Sequence, residues 1–250
     1  MTRRCLITAF AALLCLELST AAPRPATAQT LADLVQTSKQ AQGGGALFGS
    51  VELKSDSLKG LPQWTRVLGA VDHERTAFDD CAADANLCTS PILKHWRQII
   101  TTAAALPRDQ RIKAVNGFFN RWPYKLDREL YGMSEYWATP KEFMTRSGDC
   151  EDYSIAKYFA LRKLGFAKEE LRVVILMDEI RGIGHSVLAI YVENDILILD
   201  SLSNLILSHT RYKQYIPQYS MNETTRWAHI GGFKKNKKPV YRGLVAGKRN

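Results

Sequence analysis

"SGDCEDYSIAKYFALRKLG" (residues 147–165) and "HSVLAIYVENDILILDSL" (residues 185–202) decide the fold. In the first stretch Ala156, Ala160 and Leu164 recur every four residues, and Ile155 and Phe159 widen the apolar face. That period predicts a helix from about Cys150 to Leu164, closed by Gly165. In the second stretch "HSVLAIYV" and "ILILDSL" are β-branched runs of strand length, as is "LRVVILM" just upstream of them. Glu193-Asn194-Asp195 reads as a hairpin turn, so the two strands are antiparallel neighbours. Helix first and sheet afterwards predicts an α+β domain, with a central helix packed on an antiparallel sheet.

Upstream, "SPILKHWRQIITTAAAL" has Ser90 as N-cap and Pro91 at the first helical position. Ile92, Trp96, Ile99 and Ile100 then share a face. "PRDQRIKAVNGFFNRWPY" predicts a second helix, from Pro107 to about Asn120, ended by Pro123. These form an N-terminal helical lobe. The signal between Val51 and Leu68 is mixed, with turn residues at Leu61-Pro62. Before it, residues 29–45 end in a glycine-rich stretch and read as a linker. The domain is expected over residues 46–232.

The start of the chain predicts export. Arg3 and Arg4 precede an apolar run from Cys5 to Leu18, and Ala26-Thr27-Ala28 is a cleavage site of A-x-A type. Residues 1–28 therefore read as a signal peptide. The run is too short and too interrupted by Glu17 to suit a membrane anchor. The expected location is the periplasm.

Cysteine usage follows from export. Without Cys5 and Cys15, the chain keeps Cys81, Cys88 and Cys150. An odd number leaves one thiol unpaired. Cys81 and Cys88, in "DDCAADANLCTS", are close enough for a local disulfide in an oxidising compartment. A metal pair is the alternative, with no His or further Cys beside it to complete a tetrahedral site. Cys150 is then the free thiol.

The formal charge is +9, and removal of Arg3, Arg4, Arg24 and Glu17 with the signal leaves +7. Much of this sits in residues 233–250, a basic tail. Its run from Lys234 to Lys238 would attract anions, headgroups or an acidic partner if it were more than a solvated tail. No interleaving of aromatics with base-reading side chains marks a nucleic-acid module.

The chemistry gathers around Cys150. His185 opens one strand and Asp200 lies near the end of the next, so the hairpin brings them close within a register slip. A cysteine at a helix start, packed on strands carrying His and then Asp, is the arrangement of a nucleophile, a base and an orienting carboxylate. The free N–H groups of the helix start favour a thiolate. The Cys150 N–H is also a donor for an oxyanion, and the indole of Trp137 is a candidate second donor. Each residue alone has a plainer reading: Cys150 as a small buried hydrophobe, His185 as a bonded strand histidine, Trp137 as core. Cys, His and Asp together, on helix, strand and strand, favour the triad. His73, His95, His209 and His229 lack such partners and read as structural or surface residues.

"EYWATPKEFMTRSGDCEDYSIAKYFALRKLG", "HSVLAIYV" and "LILDSL" resemble the bacterial transglutaminase-like cysteine protease family, with its LapG-type periplasmic branch. The resemblance extends to "LFGS", "LPQW" and "VNGFFNRWPYKLD", with Asn116, Asn120, Tyr124 and Asp127, and so runs from about Leu47 to Pro217. It implies a papain/transglutaminase-like fold and a triad of Cys150, His185 and Asp200. It also implies calcium (Ca2+) dependence, with Asp149 and Glu151 as metal ligands. It implies a large surface adhesin as substrate, cut at an Ala-Ala pair to release biofilm. The regulator it implies is the periplasmic domain of an inner-membrane cyclic-di-GMP receptor. Three positions depart from the family's usual pattern: Glu135 replaces Asp before the Tyr-Trp pair, Ser201 replaces Asn after Asp200, and Ser186 replaces Met after His185.

Calcium gives the acids beside Cys150 a purpose. Carboxylates next to a thiolate raise its pKa by like-charge repulsion, and a hard cation neutralises them. The plainer reading makes Asp149 an N-cap and Glu151 and Asp152 first-turn acids complementing the helix dipole. Asp152 fits a capping role better than a ligand role. The overall expectation is a periplasmic calcium-dependent cysteine endopeptidase. Two alternatives stand beside it: an amide-transferring transglutaminase with the same triad, and a non-catalytic binding module that keeps the fold.

Overall fold

The structure is a computed structural model that describes residues 46–232. The signal peptide at 1–28, the linker at 29–45 and the basic tail at 233–250 lie outside the described residues. Six α-helices are described: α1 (Pro62–Ala83), α2 (Pro91–Ala104), α3 (Arg108–Phe119), α4 (Asp127–Leu130), α5 (Pro140–Arg146) and α6 (Cys150–Lys163). The strands are β1 (Val51–Ser55), β2 (Leu171–Asp178), β3 (Ile183–Val192), β4 (Asp195–Asp200), β5 (Ser203–Ser208), β6 (Tyr215–Met221) and β7 (Arg226–Ile230). They form one seven-stranded sheet in the order β1-β7-β6-β2-β3-β4-β5. Every paired neighbour runs antiparallel.

Local chemistry sets the helix ends. Ser90 accepts from the Leu93 N–H and Pro91 opens α2. Thr139 and Glu142 form a capping box at α5, with the Glu142 N–H on Thr139 Oγ1 (3.2 Å) and the Thr139 N–H on Glu142 Oε2 (2.8 Å). Helix α6 stops before Gly165, whose φ of 88° is cheap for glycine.

Helix α6 lies against β2 and β3. Its Ile155, Ala156, Ala160 and Leu161 join Val173, Leu188 and Leu199 of the sheet, and Trp64, Trp96, Phe119 and Phe143 of the other helices, in the main core. Each fully buried Leu, Ile or Phe there contributes about 1.5–3 kcal/mol. The opposite sheet face carries a smaller core of Leu47, Phe48, Val174, Leu176, Val187, Ile198 and Tyr215.

The sheet is larger than the three strands legible in the sequence, and α1 occupies part of the stretch that reads as mixed. Strand β6 contains Pro217 and still lies inside the sheet, between β7 and β2. It is accommodated at a register shift, where Ile175 faces Tyr219 but Leu176 faces Pro217. Strand β1 is polar, and it buries Glu52 in an ion pair with Arg172 (2.7 Å). Helix α1 buries only Trp64, Val67, Phe78 and Cys81 along its length, which leaves little apolar period to read.

Candidate active site

The turn into α6 is built for one purpose: to bring Cys150 to the sheet. Ser147 leaves α5 with φ 73°, and Gly148 and Asp149 then lead to Cys150, the first residue of α6. Asp152, in the first turn, folds back on this entry. Its Oδ1 accepts from the Ala138 N–H (2.6 Å) and its Oδ2 from the Asp149 N–H (3.1 Å). A Cβ at position 148 would sit 2.7 Å from Asp152 Cβ and Cγ, so glycine is required there by close approach. The Gly148 carbonyl accepts from the Lys125 N–H (2.9 Å), which draws the chain around Tyr124 to Asp127 alongside.

The Cys150 thiol donates to Glu151 Oε2 (3.3 Å), and the Ser186 backbone N–H, next after His185 in β3, favours the thiolate. Burial, then the charges of Glu151 and Asp149, push the thiol well above its ordinary pKa. Cys150 is the free cysteine among the described residues, since Cys81 and Cys88 form a disulfide with Cα atoms 4.6 Å apart.

His185 Nε2 lies 2.9 Å from Asp200 Oδ1. This leaves Nδ1, the ring nitrogen nearer the main chain, outside the bond to Asp200. Asp200 is held on all its oxygens. Oδ1 also accepts from the Leu202 N–H (3.0 Å), Oδ2 accepts from the Tyr215 hydroxyl (2.6 Å), and the carbonyl accepts from Lys157 Nζ (3.1 Å) and Asn120 Nδ2 (3.0 Å). Burial works to raise the Asp200 pKa, but the bonds from His185, Tyr215 and Leu202 outweigh it and hold the carboxyl below its usual range.

The acids form a second cluster at the same place. Carboxylate oxygens of Asp127, Asp149 and Asp152 lie within 4.8 Å of one another, and ligand atoms of Asp149, Cys150 and Glu151 form an overlapping group. Asp127 Oδ1 and Asp149 Oδ1 are buried without a hydrogen-bond partner. Burial pushes the Asp127 carboxyl up to about 6, helped by the charges of Asp149 and Glu135. Glu151 is raised by burial and by its bond to Asp149, and Asp152 is raised chiefly by burial. Unpartnered hard oxygens, in a cluster that resists ionisation, fit a divalent cation. Asp152 has both oxygens committed to backbone N–H groups, which suits the capping role.

Trp137 sits in the loop before α5, 3% exposed, with its carbonyl bound by Arg66 of α1. Its indole N–H donates to Glu135 Oε1 (3.0 Å), a partner other than a substrate oxyanion. Four residues of the site escaped a sequence assignment: Asp127, Asn120, Lys157 and Tyr215. Asp127 and Asn120 lie in "VNGFFNRWPYKLD". Lys157 was the clearest missed signal, a lysine seven residues after Cys150 on a helix otherwise buried there.

A family model described as bacterial transglutaminase-like cysteine proteinase matches residues 76–235, well over half of the chain. The chain belongs to this family. It is a transglutaminase-like cysteine protease. Among solved structures it is similar to Legionella pneumophila LapG, at 30% identity and a TM-score of 0.53, over 60% of this chain and 87% of that one. The EGTA-treated form of the Legionella protein matches with a TM-score of 0.54 and the calcium-bound form with 0.52, each at 30% identity over 62% of this chain, and over 86% and 89% of theirs. No curated protein sequence matches. The mixed helix and antiparallel sheet architecture is that of the transglutaminase-like fold.

Proposed function

We propose that this transglutaminase-like cysteine protease is a calcium-dependent periplasmic endopeptidase acting through Cys150, His185 and Asp200. The observation that carries the reading is the His185 Nε2–Asp200 Oδ1 bond on a hairpin whose β3 strand packs against α6, the helix that Cys150 opens. The Cys150 sulfur attacks the scissile carbonyl carbon while its proton passes to His185 Nδ1. The carbonyl oxygen becomes an oxyanion at the start of α6, where the Cys150 N–H has no intrahelical partner. Collapse breaks the C–N bond, and the leaving amine takes the proton from Nδ1. The acyl group is left as a thioester on Cys150. Water then attacks it, giving a proton to Nδ1, and the carboxylic acid departs as the proton returns to sulfur. Asp200 keeps the proton of the neutral imidazole on Nε2 and supports the imidazolium.

Asp127, Asp149 and Glu151 would hold the calcium ion, with Asp152 bracing the turn. When bound, the ion supplies positive charge that neutralises these carboxylates beside the nucleophile. The calcium-bound and EGTA-treated Legionella structures support this reading. The substrate is a protein, and we take it to be a large secreted adhesin cut at an Ala-Ala pair, so that cleavage frees cells from a biofilm. A periplasmic domain of a cyclic-di-GMP receptor is the corresponding regulator.

The test incubates the purified chain with N-terminal segments of large adhesins from the same genome, with calcium or with EGTA, and with Cys150→Ala as control. Cleavage by the calcium-loaded protein, lost with EGTA and absent in Cys150→Ala, is the expected result. Cleavage unaffected by EGTA removes calcium from the account. Incorporation of a labelled amine without cleavage replaces hydrolysis by acyl transfer.

A further inference from the structure

A catalytic aspartate has two equivalent oxygens and a soft terminal torsion, so something must decide which oxygen meets the histidine. At Asp200 the surrounding donors divide between the two oxygens. Oδ1 faces His185 and the Leu202 N–H, while Oδ2 meets the Tyr215 hydroxyl at 2.6 Å. We propose that Tyr215 is a positioning residue of the triad, which locks the Asp200 carboxylate so that Oδ1 stays on His185 Nε2. The proposal rests on the catalytic reading above.

The tyrosine itself has little freedom. It is 2% exposed. Phe48 meets its ring edge-on at 5.8 Å, Tyr212 stacks on it at 5.0 Å, and the His185 ring lies 5.7 Å away. Phe48 is held in turn: its N–H donates to His209 Nδ1 (2.9 Å), and its φ of 49° sets the turn at Leu47–Gly49. The hydroxyl is therefore aimed by packing on three sides. Hydrogen bonds to a carboxylate are stronger than neutral ones. Without this one, Oδ2 would be buried and unsatisfied, and the carboxylate would turn in search of another donor. His185 would then lose the partner that sets its tautomer.

The test uses the full chain with Tyr215→Phe, which keeps the ring and removes only the oxygen. Two readouts separate positioning from plain packing. The first is the division between kcat and KM for the calcium-loaded protein acting on an adhesin segment that carries an Ala-Ala pair. The second is the downfield imidazole N–H proton of His185 in NMR spectra, identified by its loss in His185→Gln. We expect kcat to fall about 10- to 100-fold with KM changed less than about twofold. We also expect the His185 proton signal to be displaced or broadened. A second variant, with 3-fluorotyrosine at position 215, keeps the packing and alters only donor strength. It should also displace the signal, and it decides the matter if Tyr215→Phe does not fold. An unchanged signal in the variants together with an unchanged kcat overturns the proposal. If the parent protein cleaves no segment, the catalytic reading fails. The NMR signal then decides alone, with a displaced signal supporting the role of Tyr215 and an unchanged one overturning it.

Discussion

His185 Nε2 and Asp200 Oδ1 stand 2.9 Å apart although the two residues do not face each other in the ladder. Leu188 faces Leu199, so Asp200 lies just past the paired stretch and His185 reaches it diagonally. The spacing comes from the two-residue turn at Glu193–Asn194, since Val192 pairs with Asp195. Slipping the strands by one residue would send one of the two side chains to the other sheet face. The site therefore depends on the register of this hairpin and on the groups that grip Asp200 from behind.

The acidic cluster predicts a calcium-dependent melting temperature. At a concentration one hundred times its Kd, calcium should stabilise the fold by about 2.7 kcal/mol, a shift of several degrees. Asp127→Asn should remove most of that shift, because Asp127 Oδ1 is one of the two buried carboxylate oxygens left without a hydrogen-bond partner among the described residues. Scanning calorimetry with calcium and with EGTA makes the comparison. Identical melting temperatures in the parent protein would refute the site.

Gly148→Ala should damage both stability and activity. The new methyl group would lie 2.7 Å from Asp152 Cβ and Cγ, and the Asp152 backbone is fixed in the first turn of α6. Overpacking of this kind costs about 1–3 kcal/mol. A shift of about 1 Å in the helix start would lower turnover about 100-fold. Denaturant unfolding and steady-state kinetics measure the two effects, and a variant like the parent in both would show that the entry turn has room to give.

Lys157 should give stability a pH dependence of its own. Its side chain is buried, with Nζ on the Asp200 carbonyl and 5.8 Å from the Tyr153 ring centre. Burial pushes its pKa down to about 7, against the opposing pull of the Asp200 charge. The unfolded chain holds this proton up to about pH 10.4. Between the two values the unfolded state binds more protons, so stability rises with pH. From pH 7 to pH 9 the gain is about 2 kcal/mol. Lys157→Met should lose this slope and be no less stable at pH 7, since a buried charge gives way to an apolar chain of similar length. Urea unfolding at the two pH values tests it, and parallel slopes for parent and variant would count against a titrating Lys157.

What was legible in the sequence followed physical simplicity. The α6 helix announces itself through Ala156, Ala160 and Leu164, and the β3–β4 hairpin through alternating β-branched residues around a polar turn. Cys150, His185 and Asp200 stood out because each sits at or near the end of such an element. Strand β6 was hidden by Pro217, which a central strand tolerates only at a register shift. Tyr215 was hidden with it. Strand β1 was hidden by polar residues whose partner, Arg172, is 120 positions away. Asp127 gave no sign of its role, because its place beside Asp149 depends on the Lys125–Gly148 hydrogen bond rather than on any spacing along the chain.

The most direct test of the central claim is to trap the acyl-enzyme. An adhesin segment mixed with the calcium-loaded protein is quenched in acid within the first turnover, and the protein is digested and weighed by mass spectrometry. The N-terminal cleavage fragment is expected as a thioester on the peptide that contains Cys150, with no adduct or cleavage in Cys150→Ala. Cleavage by Cys150→Ala at the parent rate, or an acyl group on any other residue, would contradict it.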